Sequence, residues 1–349
     1  MTRLLAAWSP GEVRIVATGA DGPIDAAIDR PGARHRVGEV WRARITAIVP
    51  GMAGAFCDLD GVSGFLPDSA GAKGRSVGEV LGLRIVRAPQ GGKGPRLAAA
   101  DAPAGPQGLV APAPSALLRL AALHPDAPVA VSAPTLQPLA RGARLSPDVA
   151  AEVDALFAGL AGAEVALPGG GVLRIHPTPA LTAIDIDAGA ATGAGDAKRT
   201  AQAGFNATLL PALARAIRVR NLSGGIVVDF AGMPARRRAA LAEPLAAALA
   251  ADPLRPRLLG FTALGFAEIL RPRVDPPLAE LLAGPHAATL AGLRAALAAG
   301  VRRLRAAPDV ATALEADPAA REAFAREAGA PISVASDPAL PAGHWSLDA

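Results

Sequence analysis

Tyrosine is absent from this chain of 349 residues, and aromatic residues of all kinds make up only 3%. A core must therefore be assembled from Leu, Val, Ile and Ala, with alanine supplying much of the 51% hydrophobic content. The single cysteine, Cys57, excludes an intrachain disulfide and any zinc site built from several thiolates. Its setting, GAFCDL, is that of a small buried hydrophobe. No apolar run reaches the length of a membrane span, and the apolar stretch in MTRLLAAWSPGE is too short for a secretory leader. A soluble, cytoplasmic protein is expected. Lysine occurs only at Lys73, Lys93 and Lys198, and every other basic side chain apart from histidine is an arginine. The formal net charge is +4. Guanidinium forks suit phosphate, so the charge favours a polyanionic partner, although GC-rich codon usage produces the same exchange of Lys for Arg. The five histidines, His35, His124, His176, His286 and His344, are scattered, with no pair at ligand spacing. No GxSxG nucleophile setting occurs.

What the chain does have is punctuation. Gly and Pro number 38 and 33, and they divide it into recognisable stretches. Residues 1–36 read as two strands, RLLAAWSPGEVRIVATGADG and PIDAAIDRPG, with turns at SPGE and ADG. Residues 37–100 form a series of short strands from VGEVWRARITAIV to GPRLAAA, the spacing of a small β-barrel. Residues 101–150 carry weaker signals: APAPSALLRLAAL and SPDVAAEVDALFAGL as helices and VAVSAP as a strand. From residue 151 to 285 the pattern becomes α/β. VALPGGGVLRIHP reads as a hairpin and LTAIDID as a strand. A long helix follows from AKRTAQ to the Ser223–Gly224–Gly225 stop. Then come strand GGIVVDF, one helix over PARRRAALAEPLAAALAAD and one strand over RLLGFTALGFAEIL. Residues 286–349 begin with a basic helix, AATLAGLRAALAAGVRRLRAA, and end in a short helix–strand–strand pattern.

The chemistry concentrates at strand ends. The pleat has period two, so in LTAIDID Ile184 and Ile186 face one side while Asp185 and Asp187 face the other. In GGIVVDF, Val228 and Phe230 share a face and Asp229 points away from them. Carboxylates at the ends of hydrophobic strands need a cationic partner if they are buried. A hard cation such as Mg²⁺, held by one or two carboxylates and water, is the usual one; polar strand caps are the plainer alternative. The stretch from Gly189 to Lys198 is rich in glycine, but it fits neither GxxxxGK[ST] nor GxGxxG. A nucleotide-hydrolysing function therefore has no support. In the barrel segment, Trp41, Phe56 and Phe65 stand among Arg42, Arg44 and Lys93. Small OB-type barrels bind single strands by stacking bases on such aromatics, yet spacing alone favours Phe56 and Phe65 as core residues.

These segments together resemble the ribonuclease E/G family. LTAIDIDAGAATGAGD, the helix ending in RVRNLSG and then GIVVDFAGM resemble its catalytic core. DPLRPRLLGFTALGFAEILRPR and VALPGGGVLRIHPTPA resemble the flanking strands. VGEVWRARITAIVPGMAGAFCDLDGVSGFLP with GGKGPRL is similar to its S1-type OB domain, and APISVASDPALPAGHWSLD to the end of its small domain. The resemblance implies an α+β, multi-domain fold. An RNase H-like and sensor region (1–36, with a reduced portion at 101–150) carries an inserted S1-type OB β-barrel (37–100). A DNase I-like α/β catalytic subdomain (151–285) and a small C-terminal α/β domain (286–349) follow. It implies an endoribonuclease that cuts single-stranded RNA in rRNA processing or mRNA decay, leaving 5′-phosphate and 3′-hydroxyl ends. Asp185 and Asp229 match the metal-holding aspartates for Mg²⁺, with Mn²⁺ as substitute. Asp187 stands where the family has Asn, in indirect contact with the metal site. Phe56, Phe65 and Lys93 match residues that hold RNA, and Arg255 matches the arginine that reads a 5′-monophosphate.

The departures are specific. GLVAPAP lacks the Arg-Thr pair expected after GLV, and the loop AATGAGD lacks the family's arginines. Gly232 replaces an acid, and the long helix has a one-residue insertion near Ala203–Gly204. The Cys-Pro-x-Cys zinc link is missing, so no zinc site is expected, and a homodimer would use another surface. The alternative function is an RNA-binding protein that keeps the fold with weak or no nuclease activity.

Overall fold

The computed structural model describes residues 1–167, 170–187, 195–230 and 232–348, with the side chains of 195–205 and 235 left out. The glycine-rich loop after Asp187, the Lys198 side chain and the side chains at the Ala203–Gly204 insertion lie outside the described residues. The chain divides into two compact units. One holds Met1–Asp21, Ala27–Asp154 and Val274–Ala349, and the other holds Gly22–Ala26 and Ala155–Arg273.

In chain order, the N-terminal strands are β1 (Arg3–Ser9), β2 (Glu12–Gly19) and β3 (Gly22–Asp29). The first stretch is thus a hairpin. Gly11 makes its turn at φ 79, where a Cβ would meet Ala320 and Leu290 at 2.7 Å. The barrel strands follow: β4 (Val40–Val49), β5 (Gly54–Leu59), β6 (Val62–Pro67), β7 (Val80–Arg87) and β8 (Arg96–Ala99). They close in the order β4–β5–β6–β8–β7–β4. The β6–β8 step is parallel and the other steps are antiparallel. This is a closed five-stranded barrel of OB-like order. Ala43, Ile45, Ala55, Cys57, Leu59, Leu66, Leu83, Ile85 and Leu97 fill it. Burial pushes the Cys57 thiol up to about 11, so it acts as a small hydrophobe. Strand β9 (Gly108–Ala111) adds to β4 outside the closed ring, beyond residue 100.

Next come α1 (Ala116–Leu123), β10 (Val129–Val131), β11 (Arg144–Leu145) and α2 (Val149–Ala161). Ser115 caps α1 by accepting from Leu118 N. Leu117 and Leu120 pack on Leu4, Ile15 and Val131 beneath the sheet β11–β10–β1–β2–β3.

The second unit is built on β12 (Glu164–Ala166), β13 (Val172–Pro177), β14 (Leu181–Asp187), α3 (Gly195–Val219), β15 (Gly224–Asp229), α4 (Ala235–Arg238), α5 (Ala242–Leu249), β16 (Arg257–Phe261) and β17 (Ala267–Arg271). Its sheet runs β12–β13–β14–β15–β17–β16. Leu209, Leu213 and Ile217 of α3 and Leu245 and Leu249 of α5 cover one face of it. Two sequence expectations change here. The single helix over 234–252 is broken into α4, a 3₁₀ turn and α5. The single strand over RLLGFTALGFAEIL is a hairpin. Thr262 and Gly265, the latter at φ 91, close its turn, and Thr262 N donates to Phe266 O.

The chain ends with α6 (Leu278–Leu281), α7 (Gly284–Ala299), β18 (Arg303–Ala306), α8 (Pro308–Glu315), α9 (Pro318–Ala328), β19 (Ser333–Ser336) and β20 (Trp345–Asp348). The expected basic helix stops at Gly300, whose left-handed φ of 67 closes α7. VRRLRAA then becomes the central strand of the sheet β19–β18–β20, with Leu304 and Ala306 in the core. Among the described residues no helix is long and apolar enough to cross a membrane.

Candidate active site and nucleic-acid face

Strands β14 and β15 are parallel neighbours, and their register sets Asp185 directly against Asp229. Ile184, Ile186, Val228 and Phe230 are buried under the helices. The alternation therefore turns Asp185, Asp187 and Asp229 to the opposite face, where all three are about half exposed. Adjacent strands lie about 4.8 Å apart, so the Asp185 and Asp229 carboxylates stand within reach of one small cation.

Two arginines attend these acids in different ways. Arg174 is the cross-strand partner of Asp185 on β13. Its Nη1 lies 3.6 Å from Asp185 Oδ2 and 3.3 Å from Asp187 Oδ2, and its Nε donates to Glu164 Oε1 at 3.0 Å. The bonds to Glu164 and then Asp187 push the guanidinium further above its ordinary value. Arg238, at the end of α4, donates from Nη1 to Asp229 Oδ1 at 2.6 Å. It also donates to three main-chain carbonyls: Met233 O from Nε at 2.7 Å, and Gly265 O from Nη1 and Phe230 O from Nη2, both at 3.0 Å. Nothing in the PARRR run distinguished Arg238 from its neighbours, because one of its acceptors, Gly265 O, lies in a hairpin turn that only the fold brings near.

Oxygen donors of this kind suit a hard divalent cation, and Mg²⁺ in particular takes one or two carboxylates with water completing its shell. Among the described residues, no three His, Cys, Asp or Glu side chains converge on one point. The protein ligand set these residues offer is thus the pair Asp185 and Asp229, which fits such an ion. Gly232, exposed at φ 56, offers no third acid.

Arg255 is exposed, in a left-handed turn at φ 51, where its N–H donates to Asp252 O. Arg257 is level with Leu270, and Leu270 with Gly225 at the start of β15. Arg255 therefore sits at the end of the sheet opposite Asp229, which closes β15. The structure does not bring it beside the acids.

The barrel carries a separate patch. Phe56 of β5 faces Phe65 of β6 directly, with ring centroids 5.5 Å apart in an edge-on pair. Both rings point away from the core filled by Ala55, Cys57 and Leu66. The expectation from spacing is thus reversed. Phe56 and Phe65 are on the outside, whereas Trp41 is 4% exposed and its Nε1 donates to Glu39 Oε2 at 2.8 Å. Asp58 had already marked the phase, since it shares the face of Phe56 one pleat on. Arg96, the bridge partner of Phe65, lies 5.9 Å from that ring's centroid. Lys93 is exposed at the turn that precedes it. Arg96 was missed in the sequence, although its place two residues before Ala98 on an outward phase was readable.

Comparison with known proteins bears on the acidic unit. Residues 148–274 match the model of the ribonuclease E/G family. The central segment is similar to the ribonuclease E/G family. Ribonuclease E of Escherichia coli (strain K12) is 42% identical over 120 residues, which is 34% of this chain and 11% of that protein. Ribonuclease E of Nostoc sp. is 40% identical over 118 residues, 34% of this chain and 17% of that protein. Ribonuclease G of Haemophilus influenzae is 36% identical over 121 residues, 34% of this chain and 24% of that protein. The chain therefore aligns with less than a quarter of the length of each of these relatives. The aligned third contains Asp185, Asp187, Asp229 and Arg238, together with Arg174 and Arg255.

Proposed function

We propose that this chain is a divalent-metal-dependent endoribonuclease acting on single-stranded RNA in RNA maturation or decay in the cytoplasm. The observation that carries this reading is the register pairing of Asp185 with Asp229 on the open face of a sheet, inside a ribonuclease E/G segment. These two carboxylates would hold Mg²⁺, or Mn²⁺ in its place. Held by Asp185 and Asp229, such an ion would supply Lewis-acid polarisation of a phosphoryl oxygen and activation of water for in-line attack, the chemistry that would leave a 5′-phosphate and a 3′-hydroxyl. Asp187 adds negative charge beside the pair and draws Arg174 toward it. Phe56 and Phe65 would stack two bases, with Arg96 and Lys93 beside the backbone phosphates. Arg255 would receive a phosphate at the far end of the sheet. On this reading the second unit is the DNase I-like catalytic part and the barrel is the S1-type RNA-holding part. The N-terminal sheet corresponds to the RNase H-like region. Self-association would not use a cysteine–zinc link, because Cys57 is in the barrel core.

One observation favours a second reading, an RNA-binding protein with weak or no nuclease activity. Both carboxylates of the pair already have arginine partners, so the face is partly neutralised without metal. A short labelled A/U-rich RNA incubated with the chain in Mg²⁺, beside Asp229→Asn, separates the two. Internal cleavage by the wild type and none by the variant supports the nuclease. Equal binding and no cleavage in both, in Mn²⁺ as well as Mg²⁺, leaves the binding protein.

A further inference from the structure

We propose that Arg238 is a positioning residue for Asp229, one that fixes the carboxylate before any cation arrives; this rests on the metal-dependent reading above. The guanidinium has five donors in a rigid plane. Three main-chain carbonyls, from the strand end (Phe230), the following loop (Met233) and the tip of the β16–β17 hairpin (Gly265), set that plane. The acid takes a fourth donor, on the same Nη1 that bonds Gly265 O, through Oδ1. The arginine is the buried member of the pair, at 11% exposure against 45% for the acid. It therefore stands behind the carboxylate, and its geometry does not depend on the acid it serves. When a cation draws on Asp229, the three carbonyls keep Arg238 in place.

Arg174 provides the contrast. It is 37% exposed and shared among Glu164, Asp185 and Asp187, with no main-chain anchor among the described residues. A guanidinium held only by half-exposed acids is a counter-ion that a metal displaces. A guanidinium held by three carbonyls is part of the scaffold. Groups that hydrogen-bond to metal-binding side chains typically matter by about 10- to 100-fold in metal affinity or activity.

The test is a Mn²⁺ titration of the full chain, with free Mn²⁺ followed by electron paramagnetic resonance. Wild type, Arg238→Gln and Arg238→Lys are compared, together with metal-free RNA affinity and the kcat and KM of cleavage. We expect Arg238→Gln to weaken Mn²⁺ binding about 10- to 100-fold. It should lower kcat, with KM and metal-free RNA affinity unchanged. Arg238→Lys should fail to restore binding, because one ammonium cannot hold three carbonyls and the acid together. If Arg238→Gln does not fold, as judged by circular dichroism, Arg238→Lys alone carries the test, with at least a tenfold loss expected. Wild-type Mn²⁺ affinity in Arg238→Gln, full restoration by Lys, or a loss confined to metal-free RNA affinity would each overturn the positioning role. Absence of Mn²⁺ binding by the wild type overturns the metal reading itself and this proposal with it.

Discussion

Replacing Phe56 by Ala should weaken RNA binding while leaving the barrel folded, whereas replacing Trp41 by Ala should destabilise the barrel itself. The two residues lie on neighbouring strands, but the pleat sends them to opposite sides. Phe56 packs mainly against Phe65, an edge-on contact worth about 0.5–1.5 kcal/mol. That is the scale of the stability loss. A base stacked on the exposed ring contributes about 1–3 kcal/mol, so affinity should fall roughly 5- to 140-fold at 1.4 kcal/mol per tenfold. Trp41 fills the barrel core, and its indole N–H satisfies Glu39, whose same oxygen also accepts from His35 N. Removing it leaves a cavity and costs about 3–5 kcal/mol. Fluorescence anisotropy with a labelled single-stranded RNA in EDTA measures the first effect, and a circular dichroism melt the second. A salt series gives the ionic share, which should be the same in wild type and Phe56→Ala because no charge is removed. Unchanged affinity in a well-folded Phe56→Ala protein would refute the stacking role. A melt as damaged as that of Trp41→Ala would refute the outward placement.

Two further outcomes concern buried charge. Glu12 is 1% exposed and joins Arg14 and Arg30. Burial pushes its carboxyl up, but Arg14 and Arg30 outweigh this and hold it below the ordinary 4.5. A lowered native pKa gives stability that is complete above about pH 4.5 and is lost as pH falls through the native value. The melting temperature of wild type should therefore drop below pH 4.5 by more than that of Glu12→Gln, measured as melts from pH 7 to 3. Asp252 and Arg271 are each 4% exposed and bonded at 2.6 Å. Asp252→Ala leaves the buried Arg271 charge with only the neutral acceptors Asn221 Oδ1 and Leu222 O, and should cost about 3–5 kcal/mol in urea unfolding. It should also loosen the turn that carries Arg255, because Asp252 Oδ1 accepts from Leu254 N.

How legible this was in the sequence follows from how local each signal is. The facing of Asp185, Asp187 and Asp229 was readable because it depends only on strict alternation with Ile184, Ile186, Val228 and Phe230. The barrel was readable from Gly and Pro spacing, since each strand ends where its turn residues stand. Spacing favours Phe56 as core although Asp58 marks the outward phase, and only the family resemblance places it among RNA-holding residues. VRRLRAA continues the basic helical pattern by composition, but Gly300 ends the helix and Arg303–Leu304–Arg305–Ala306 alternates with period two. GFTALGF was taken as strand although Gly265 provides the left-handed residue of a turn. Arg238 could not be found this way. Its anchors are the carbonyls of Phe230, Met233 and Gly265, and the last is separated from it by a helix, a strand and a turn.

The position of the acids follows from the one parallel pairing in their sheet among the described residues, β14 with β15. Parallel neighbours need a crossover between them, here the 25-residue helix α3. That crossover sets the carboxyl-terminal ends of two strands side by side, the place where ligands gather in open α/β sheets. An antiparallel pair would have put one acid at each end. The two acids are nonetheless unlike. Asp229 closes its strand against an arginine fixed by three carbonyls, while Asp185 lies inside its strand beside an arginine shared with Asp187 and Glu164. On the metal-dependent reading, a cation entering between them would meet one carboxylate already set and another whose counter-ion would have to move. The ordering cost of such binding would then fall on the β14 side, where Asp187 holds Arg174 within 3.3 Å.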